Sequence, residues 1–160
     1  MTIVVAGARS GVGKTATAVA LLKVLKGFSA LKTTVAHKGT CKSSQKLRRS
    51  GCGICYTLDR PFVLIKEMNS VEERGKDTHR LKEAGAKEVF WLIAKEESLG
   101  EGIRYALAQF KRCRGVLIEG TSVLKHLDPD LAIFVKGAGT KPSAKEVLSK
   151  VDIFVEPRMV

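Results

Sequence analysis

The chain has 160 residues, a formal net charge of +12 and 44% apolar residues. This length suits one α/β domain with a real core, and no apolar run approaches the ~20 residues that a membrane-spanning helix needs. The charge is uneven, because residues 1–58 carry ten Lys or Arg and no acid, and Asp59 is the first acidic residue. Anionic partners are expected, while a solvated lysine-rich surface would explain the same charge.

Two classes of partner are not favoured. The N-terminus lacks a basic segment ahead of its apolar run, so we expect no signal peptide, no membrane association and a cytoplasmic location. Aromatic residues do not alternate with the basic residues of the first half, as stacking on single-stranded nucleic acid would want. Nucleic acid is therefore the less favoured anionic partner, and a nucleotide the more favoured one.

A glycine-rich segment joins the first predicted strand, residues 3–5, to the first predicted helix, residues 14–26. It reads Ala6-Gly-Ala-Arg-Ser-Gly-Val-Gly-Lys-Thr15. Strand, glycine-rich turn, Gly-Lys-Thr and helix is the order of a phosphate-binding P-loop, in which successive N–H groups and a helix N-terminus face one anion. Ala8 stands where the strict motif has glycine, a mild change if that residue does not need a positive φ.

The P-loop pattern assigns a role to each residue of the turn. Lys14 would reach the β- and γ-phosphates of a nucleoside triphosphate and neutralise charge there, and the Thr15 hydroxyl would hold Mg²⁺. The backbone of the turn would bind the phosphates. The predicted nucleotide-binding residues are Arg9, Ser10, Gly11, Val12, Gly13, Lys14 and Thr15.

A long irregular segment, residues 38–60, follows the second predicted strand, residues 33–36. It holds three of the four cysteines, Cys41, Cys52 and Cys55, together with the basic residues Lys38, Lys42, Lys46, Arg48 and Arg49. The spacing of Cys52 and Cys55 lets two thiolates bind one metal ion, and nearby cations favour the thiolate form. We expect a Zn²⁺ ion or an iron–sulfur cluster, with His37 as a candidate fourth ligand, and free thiols are the alternative.

The following elements alternate between strands and helices. Asp77 is predicted to cap a helix that ends at Gly85, and catalytic roles for Asp77 and His79 are less favoured than cap and surface roles. Ser143 is predicted to cap the last helix, with Glu146 completing a capping box. The further strands are predicted at residues 62–65, 88–93, 115–119, 131–135 and 151–155, and the further helices at 77–85, 103–110 and 143–149.

This alternation predicts one domain over residues 1–160, with a three-layer P-loop NTPase fold, a mainly parallel sheet and flanking helices. Glu119 ends an apolar strand and precedes Gly120, where an acid of a P-loop protein holds Mg²⁺ directly or through water. A capping carboxylate is the alternative. The predicted catalytic residues are therefore Lys14 and Glu119, and the predicted Mg²⁺ ligands are Thr15 and Glu119.

Three segments, in order, resemble the molybdopterin-guanine dinucleotide biosynthesis adaptor (MobB) family. They are the P-loop, Gly75-Lys-Asp-Thr-His-Arg80 with Ala84-Gly-Ala86, and Val116-Leu-Ile-Glu-Gly120. The P-loop occurs in many families, whereas the second segment is more specific to this one. The resemblance implies a dimeric GTP-binding P-loop protein that assists the transferase attaching a nucleotide to molybdopterin. The Asn/Thr-Lys-x-Asp signature for guanine is absent, so ATP stays open beside GTP.

Three functions follow from these patterns. The first is a weak Mg²⁺-dependent GTPase or GTP-binding adaptor of molybdenum cofactor biosynthesis, with a molybdopterin-processing transferase as partner. The second is a nucleotide-gated metal or iron–sulfur chaperone that serves a metalloenzyme and uses Cys41, Cys52 and Cys55. The third is a nucleic-acid-binding NTPase that uses the basic first half of the chain.

Overall fold

The computed structural model describes residues 1–36, 58–66 and 76–157. The strands in these ranges are β1 (Thr2–Gly7), β2 (Phe28–Ala36), β3 (Phe62–Ile65), β4 (Val89–Lys95), β5 (Gly115–Glu119), β6 (Leu131–Val135) and β7 (Ile153–Val155). The α-helices are α1 (Lys14–Val24), α2 (Asp77–Glu83), α3 (Leu99–Gln109) and α4 (Pro142–Lys145). Across these ranges, no helix has the length and apolar character that crossing a membrane requires.

The strands form one seven-stranded sheet in the order β3-β4-β2-β5-β1-β6-β7. All neighbours are parallel except β3 and β4. The chain leaves β1 through α1 toward β2 on one side, and it leaves β5 toward β6 on the other side. In an open α/β sheet, ligands bind beyond the carboxyl ends of the strands at such a reversal of direction. This topology places the ends of β1 and β5 at that point.

Helices cover both faces of the sheet. Lys32 of β2 and Glu119 of β5 are register partners on one face, and they contact Asp77 of α2 and Thr15 of α1. On the opposite face, Gly102 of α3 approaches Leu92 of β4 so closely that a Cβ would lie 3.0 Å from it. The chain is therefore an α/β protein with a mostly parallel sheet, an arrangement compatible with the predicted three-layer class.

The structure confirms the prediction that a glycine, Gly85, ends α2. Gly85 has φ +104, and its N–H donates to the carbonyl of Lys82 at 3.0 Å. The N–H of Ala86 donates to the carbonyl of Leu81 at 3.4 Å. This pair of hydrogen bonds is a Schellman motif, which satisfies carbonyls that the last turn of a helix leaves without partners.

The predicted start of β2 and the predicted N-cap of α2 were wrong. β2 begins at Phe28 rather than Thr33, because Phe28 to Leu31 are buried where the strand pairs with both β4 and β5. Lys76 occupies the N-cap of α2, so Asp77 is its first helical residue instead of its cap. The carboxylate of Asp77 is engaged by a lysine of β2 instead.

The predicted capping box of the last helix is also absent. Lys141 is the N-cap residue and Pro142 is the first helical residue, a position that suits the fixed φ of proline. Ser143 therefore lies inside the helix, and Glu146 pairs with Lys125 at 2.6 Å. The helix ends at Lys145, and a separate 3₁₀ turn follows at Leu148–Lys150.

Gly85→Ala tests the helix end. A Cβ at this position would have no atom within 4 Å, so the substitution changes the backbone energy without a clash. We expect the free energy of unfolding to fall by about 1–2 kcal/mol, because the left-handed conformation disfavours a side chain. Gly85→Asn is the matched control, and its free energy of unfolding should fall less, since Asn tolerates this conformation. Equal urea midpoints for Gly85→Ala and the wild type would contradict the assignment.

Candidate functional site

The turn between β1 and α1 has the backbone shape that its glycines permit. Gly11 and Gly13 have φ values of +76 and +105, which residues with a Cβ rarely adopt. Ala8 does not share this need, because Arg112 is the one described non-glycine residue with a positive φ. Gly13 is the N-cap of α1, and no side chain of the described residues caps this helix. The first N–H groups of α1 are therefore left to a ligand or to water.

Hydrogen bonds fix the start of this turn to two other segments. The N–H of Ala8 donates to the carbonyl of Val135 at 2.9 Å, and the N–H of Lys141 donates to the carbonyl of Ala8 at 2.9 Å. The hydroxyl of Thr121 donates to the carbonyl of Gly7 and accepts from its N–H, both at 3.0 Å. The turn is thus held by the ends of β5 and β6 as well as by β1.

Lys14, the first residue of α1, lies over the turn. Its Nζ donates to the carbonyl of Arg9 at 3.0 Å. Burial lowers the pKa of Lys14; the Glu119 carboxylate opposes this effect, and the ammonium groups of Lys32 and Lys141 add to it. Like charges therefore meet at this lysine, and an anionic ligand would relieve their repulsion.

A cavity of about 240 Å³ opens beside the turn. Three cationic side chains line it, from Arg9, Lys14 and Lys141, against one acid, Glu96. Its volume lies below the ~300–1,000 Å³ of sites that enclose a whole small molecule. The excess of positive charge and the modest size suit the phosphate groups of a ligand whose remainder lies outside the cavity.

Behind Lys14 lies a group of four side chains that we call the charge cluster, made of Thr15, Lys32, Asp77 and Glu119. The Thr15 hydroxyl oxygen is 3.0 Å from both carboxylate oxygens of Glu119. The Nζ of Lys32 donates to Oδ2 of Asp77 and lies 3.7 Å from Oε1 of Glu119. Glu119 is 5% exposed, so these contacts replace most of its hydration.

The Lys32 ammonium keeps Asp77 ionised. Partial burial alone would raise the pKa of Asp77, but the hydrogen bond and the charge of Lys32 outweigh it, with smaller contributions from Thr15 and Arg80. The net effect is a pKa below the ordinary aspartate value of 3.8. At neutral pH the cluster therefore holds the Asp77 carboxylate as an anion against an ammonium group.

The structure brings together some predicted residues and adds others. Thr15 and Glu119, which we expected to share a metal ion, are in contact. Asp77 joins them although a cap role was favoured, and Lys32 was missed. A signal for Lys32 was present, because it directly follows the apolar residues Ala30 and Leu31, and a lysine beside buried residues needs an acid as partner. His79 pairs with Glu83 on the same helix at 3.1 Å.

The predicted cysteine site lies outside the described residues. Cys41, Cys52, Cys55 and their candidate partner His37 all fall between residues 37 and 57. In the ranges that the structure describes, no group of three or more His, Cys, Asp or Glu could hold a metal ion. Cys113, the fourth cysteine, lies just before β5 and is a free and half-buried thiol.

Comparisons of the chain with protein-family models, with curated proteins and with solved structures find no match. The resemblance to the MobB family therefore depends on the three quoted segments alone.

Asp77→Asn tests the ionic contact between α2 and β2. At neutral pH the free energy of unfolding should fall by less than about 1 kcal/mol, because the Asp77 side chain is 39% exposed and solvent screens the pair. A depressed folded-state pKa stabilises the fold above the unfolded value of 3.8, and the gain is lost as pH falls through the folded value.

Urea unfolding at several pH values measures this difference. The wild type and Asp77→Asn should differ by a constant amount near neutral pH and converge in acid, as the pH falls through the lowered folded-state pKa of Asp77. Asp128→Asn, at an exposed pair with Lys150, is the matched control and should change stability little. A difference between wild type and Asp77→Asn that persists unchanged into acid would refute the ionic role.

Proposed function

We propose that this protein binds a nucleoside triphosphate, GTP or ATP, with Mg²⁺ at the turn between β1 and α1. The observation that carries the proposal is the conjunction of two geometries. The turn ends in the uncapped N-terminus of α1 with Lys14 above it, and the next residue, Thr15, contacts the buried Glu119. Backbone N–H groups at a helix N-terminus favour phosphate, and the Thr–carboxylate pair beside them favours a cation.

The donor atoms of the charge cluster fit Mg²⁺. Thr15 offers a hydroxyl oxygen, and Glu119 and Asp77 offer carboxylate oxygens. Mg²⁺ takes oxygen ligands and is usually bound by one or two carboxylates together with phosphate oxygens. Thr15 and Glu119 would hold the ion, and Asp77 is a further carboxylate of the same cluster. When bound, the ion would neutralise charge on the phosphates.

The cationic side chains have a separate role in this proposal. Lys14 would bind the β- and γ-phosphates, and the charge of Arg9 and Lys141 on the cavity wall would attract and orient them. The N–H groups of residues 9–15 would donate to the same oxygens. Such an arrangement stabilises charge as a phosphate leaves, which supports slow hydrolysis without a dedicated base.

The biological role follows the resemblance to the MobB family. We propose a cytoplasmic, homodimeric P-loop adaptor with weak GTPase activity, which assists the transferase that attaches a nucleotide to molybdopterin. The quoted segments support this role, and each of the three carries one residue of the charge cluster, Thr15, Asp77 or Glu119. A metal ion or cluster on Cys41, Cys52 and Cys55 stays a prediction from the sequence.

Lys14→Ala tests the nucleotide site. Titration of fluorescent GTP and ATP analogues should show at least about tenfold weaker binding than the wild type, since a charge-assisted hydrogen bond is lost. The fold should survive, because Lys14 is not among the buried residues that form the core, and both its burial and the ammonium groups of Lys32 and Lys141 disfavour its charge. Lys23→Ala, at an exposed position on the same helix, is the matched control and should bind normally. Unchanged affinity in Lys14→Ala would remove the basis of the proposal.

Glu119→Gln extends the same titration to the metal. The amide keeps the shape of the side chain but loses its charge, so binding with Mg²⁺ should weaken several-fold more than binding in EDTA. Equal losses in the two conditions would make Glu119 a structural residue instead of a metal ligand.

The proposed homodimer is checked by light scattering with and without nucleotide. The mass should be about twice the 17.4 kDa of one chain. A single-chain mass in both conditions, at micromolar concentration, would exclude the dimer under those conditions and weaken the resemblance to the family.

A further inference from the structure

Lys32 stands at an unusual place for a lysine. It lies within β2, next to the fully buried Leu31, and its register partners are Trp91 of β4 and Glu119 of β5. Its side chain is only 19% exposed. An ammonium group there needs an acid partner to offset its lost hydration, and two carboxylates supply it.

The ammonium group of Lys32 shares oxygen atoms with the proposed Mg²⁺ site. It donates to Oδ2 of Asp77 and lies 3.7 Å from Oε1 of Glu119. The Thr15 hydroxyl oxygen lies 3.0 Å from that same Oε1. A metal ion held by Thr15 and Glu119 would therefore approach the oxygens that the ammonium group already faces.

Two cations at one pair of carboxylates exclude each other. The repulsion between a divalent ion and an ammonium group a few ångströms apart is strong where water is largely removed. The lysine has a flexible four-carbon stem, so its head can leave the carboxylates, but its contacts with them must then be replaced. Every metal ion that binds here therefore competes with a cation tethered to β2.

We infer that Lys32 is the resident cation of the metal site, that it competes with Mg²⁺ for Asp77 and Glu119, and that it thereby weakens the dependence of nucleotide binding on Mg²⁺. The competition follows from contacts within the chain. Its consequence for nucleotide binding rests on the proposed function. A protein of this kind keeps its carboxylates neutralised at low Mg²⁺ and can hold a nucleotide there.

Manganese binding without nucleotide tests the competition directly. Mn²⁺ takes the same oxygen ligands as Mg²⁺, and its paramagnetic resonance signal separates free from bound ion. Lys32→Met and Lys32→Gln should bind Mn²⁺ at least about tenfold more tightly than the wild type, because the carboxylates lose their cation. Added Mg²⁺ should displace the Mn²⁺. The affinity should stay at the wild-type value in Lys32→Arg, which keeps the charge.

Two further variants locate the effect. Lys136→Met is the matched control, because it removes another lysine–carboxylate pair, with Glu156 at 2.9 Å, away from the charge cluster. It should leave Mn²⁺ affinity unchanged. The double variant Asp77→Asn, Lys32→Met should lack the tighter Mn²⁺ binding expected of Lys32→Met alone. The inference is overturned if both neutral variants of Lys32 bind Mn²⁺ no more tightly than the wild type.

A measurement on the wild type covers the case in which neither neutral variant folds. The side-chain Cε–Hε signal of Lys32, assigned by its loss in Lys32→Arg, should shift as Mg²⁺ is added in the absence of nucleotide. A signal that stays fixed while Mg²⁺ binds would overturn the competition. These measurements need no nucleotide. They can therefore support the competition between Lys32 and the metal ion even if Lys14→Ala disproves the nucleotide site, and they can disprove the competition even if the nucleotide site is correct.

In nucleotide titrations, Mg²⁺ should increase the nucleotide affinity of Lys32→Met several-fold more than it increases that of the wild type. An equal Mg²⁺ effect in both proteins would refute the consequence for nucleotide binding even if the manganese result stands.

Discussion

The buried carboxylate of Glu119 is the constraint on which the site depends. At 5% exposure it has lost most of its water, and an unsatisfied charge there would destabilise the fold strongly. Its partners come from different elements, the hydroxyl of Thr15 from α1 and the ammonium group of Lys32 from β2. Lys32 in turn engages Asp77 of α2. One buried charge thus determines how two strands and two helices meet.

The turn above this cluster depends on the same arrangement. Thr15 can reach Glu119 only if α1 begins at Lys14, and the positive φ of Gly11 and Gly13 lets the chain enter the helix there. Val135 at the end of β6 and Thr121 just after β5 hold the start of the turn. Of the described residues, three cationic side chains and one acid line the cavity beside the turn, whereas the charge cluster holds two carboxylates and one lysine. The net positive charge of the cavity suits a phosphate, and the net negative charge of the cluster suits a metal ion next to it.

Local signals in the sequence predicted the parts that depend on neighbouring residues. The strand, glycine turn and helix of the first 24 residues, the glycine at the end of α2 and the acid at the end of β5 are all found. The contact of Lys32 with Asp77 could not be predicted in this way, because 45 residues separate the two. It depends on β2 lying beside β5 in one register and on α2 packing over that face. A start of β2 at Thr33 would have left Lys32 outside the strand altogether.

The caps failed for a related reason. A cap rule considers one helix end, whereas Asp77 contacts a lysine of the sheet, and Pro142 begins α4 so that the N-cap is Lys141 and not Ser143. A polar side chain near a charged group forms the stronger, charge-assisted hydrogen bond in preference to a cap. Rules that consider only neighbouring residues do not include such a partner. The same competition moved Asp77 from an expected surface role into the candidate site.

Binding of a nucleotide's phosphates by the N–H groups of the turn should be visible in the amide chemical shifts of the ¹⁵N-labelled protein, recorded while GTP or ATP is added with Mg²⁺. The largest shifts should fall on residues 9–15, with Gly11, Gly13 and Lys14 among them, and inorganic triphosphate should reproduce them. Saturating nucleotide that leaves these amides unchanged, or that shifts only amides elsewhere in the sheet, would show that the turn does not bind the phosphates.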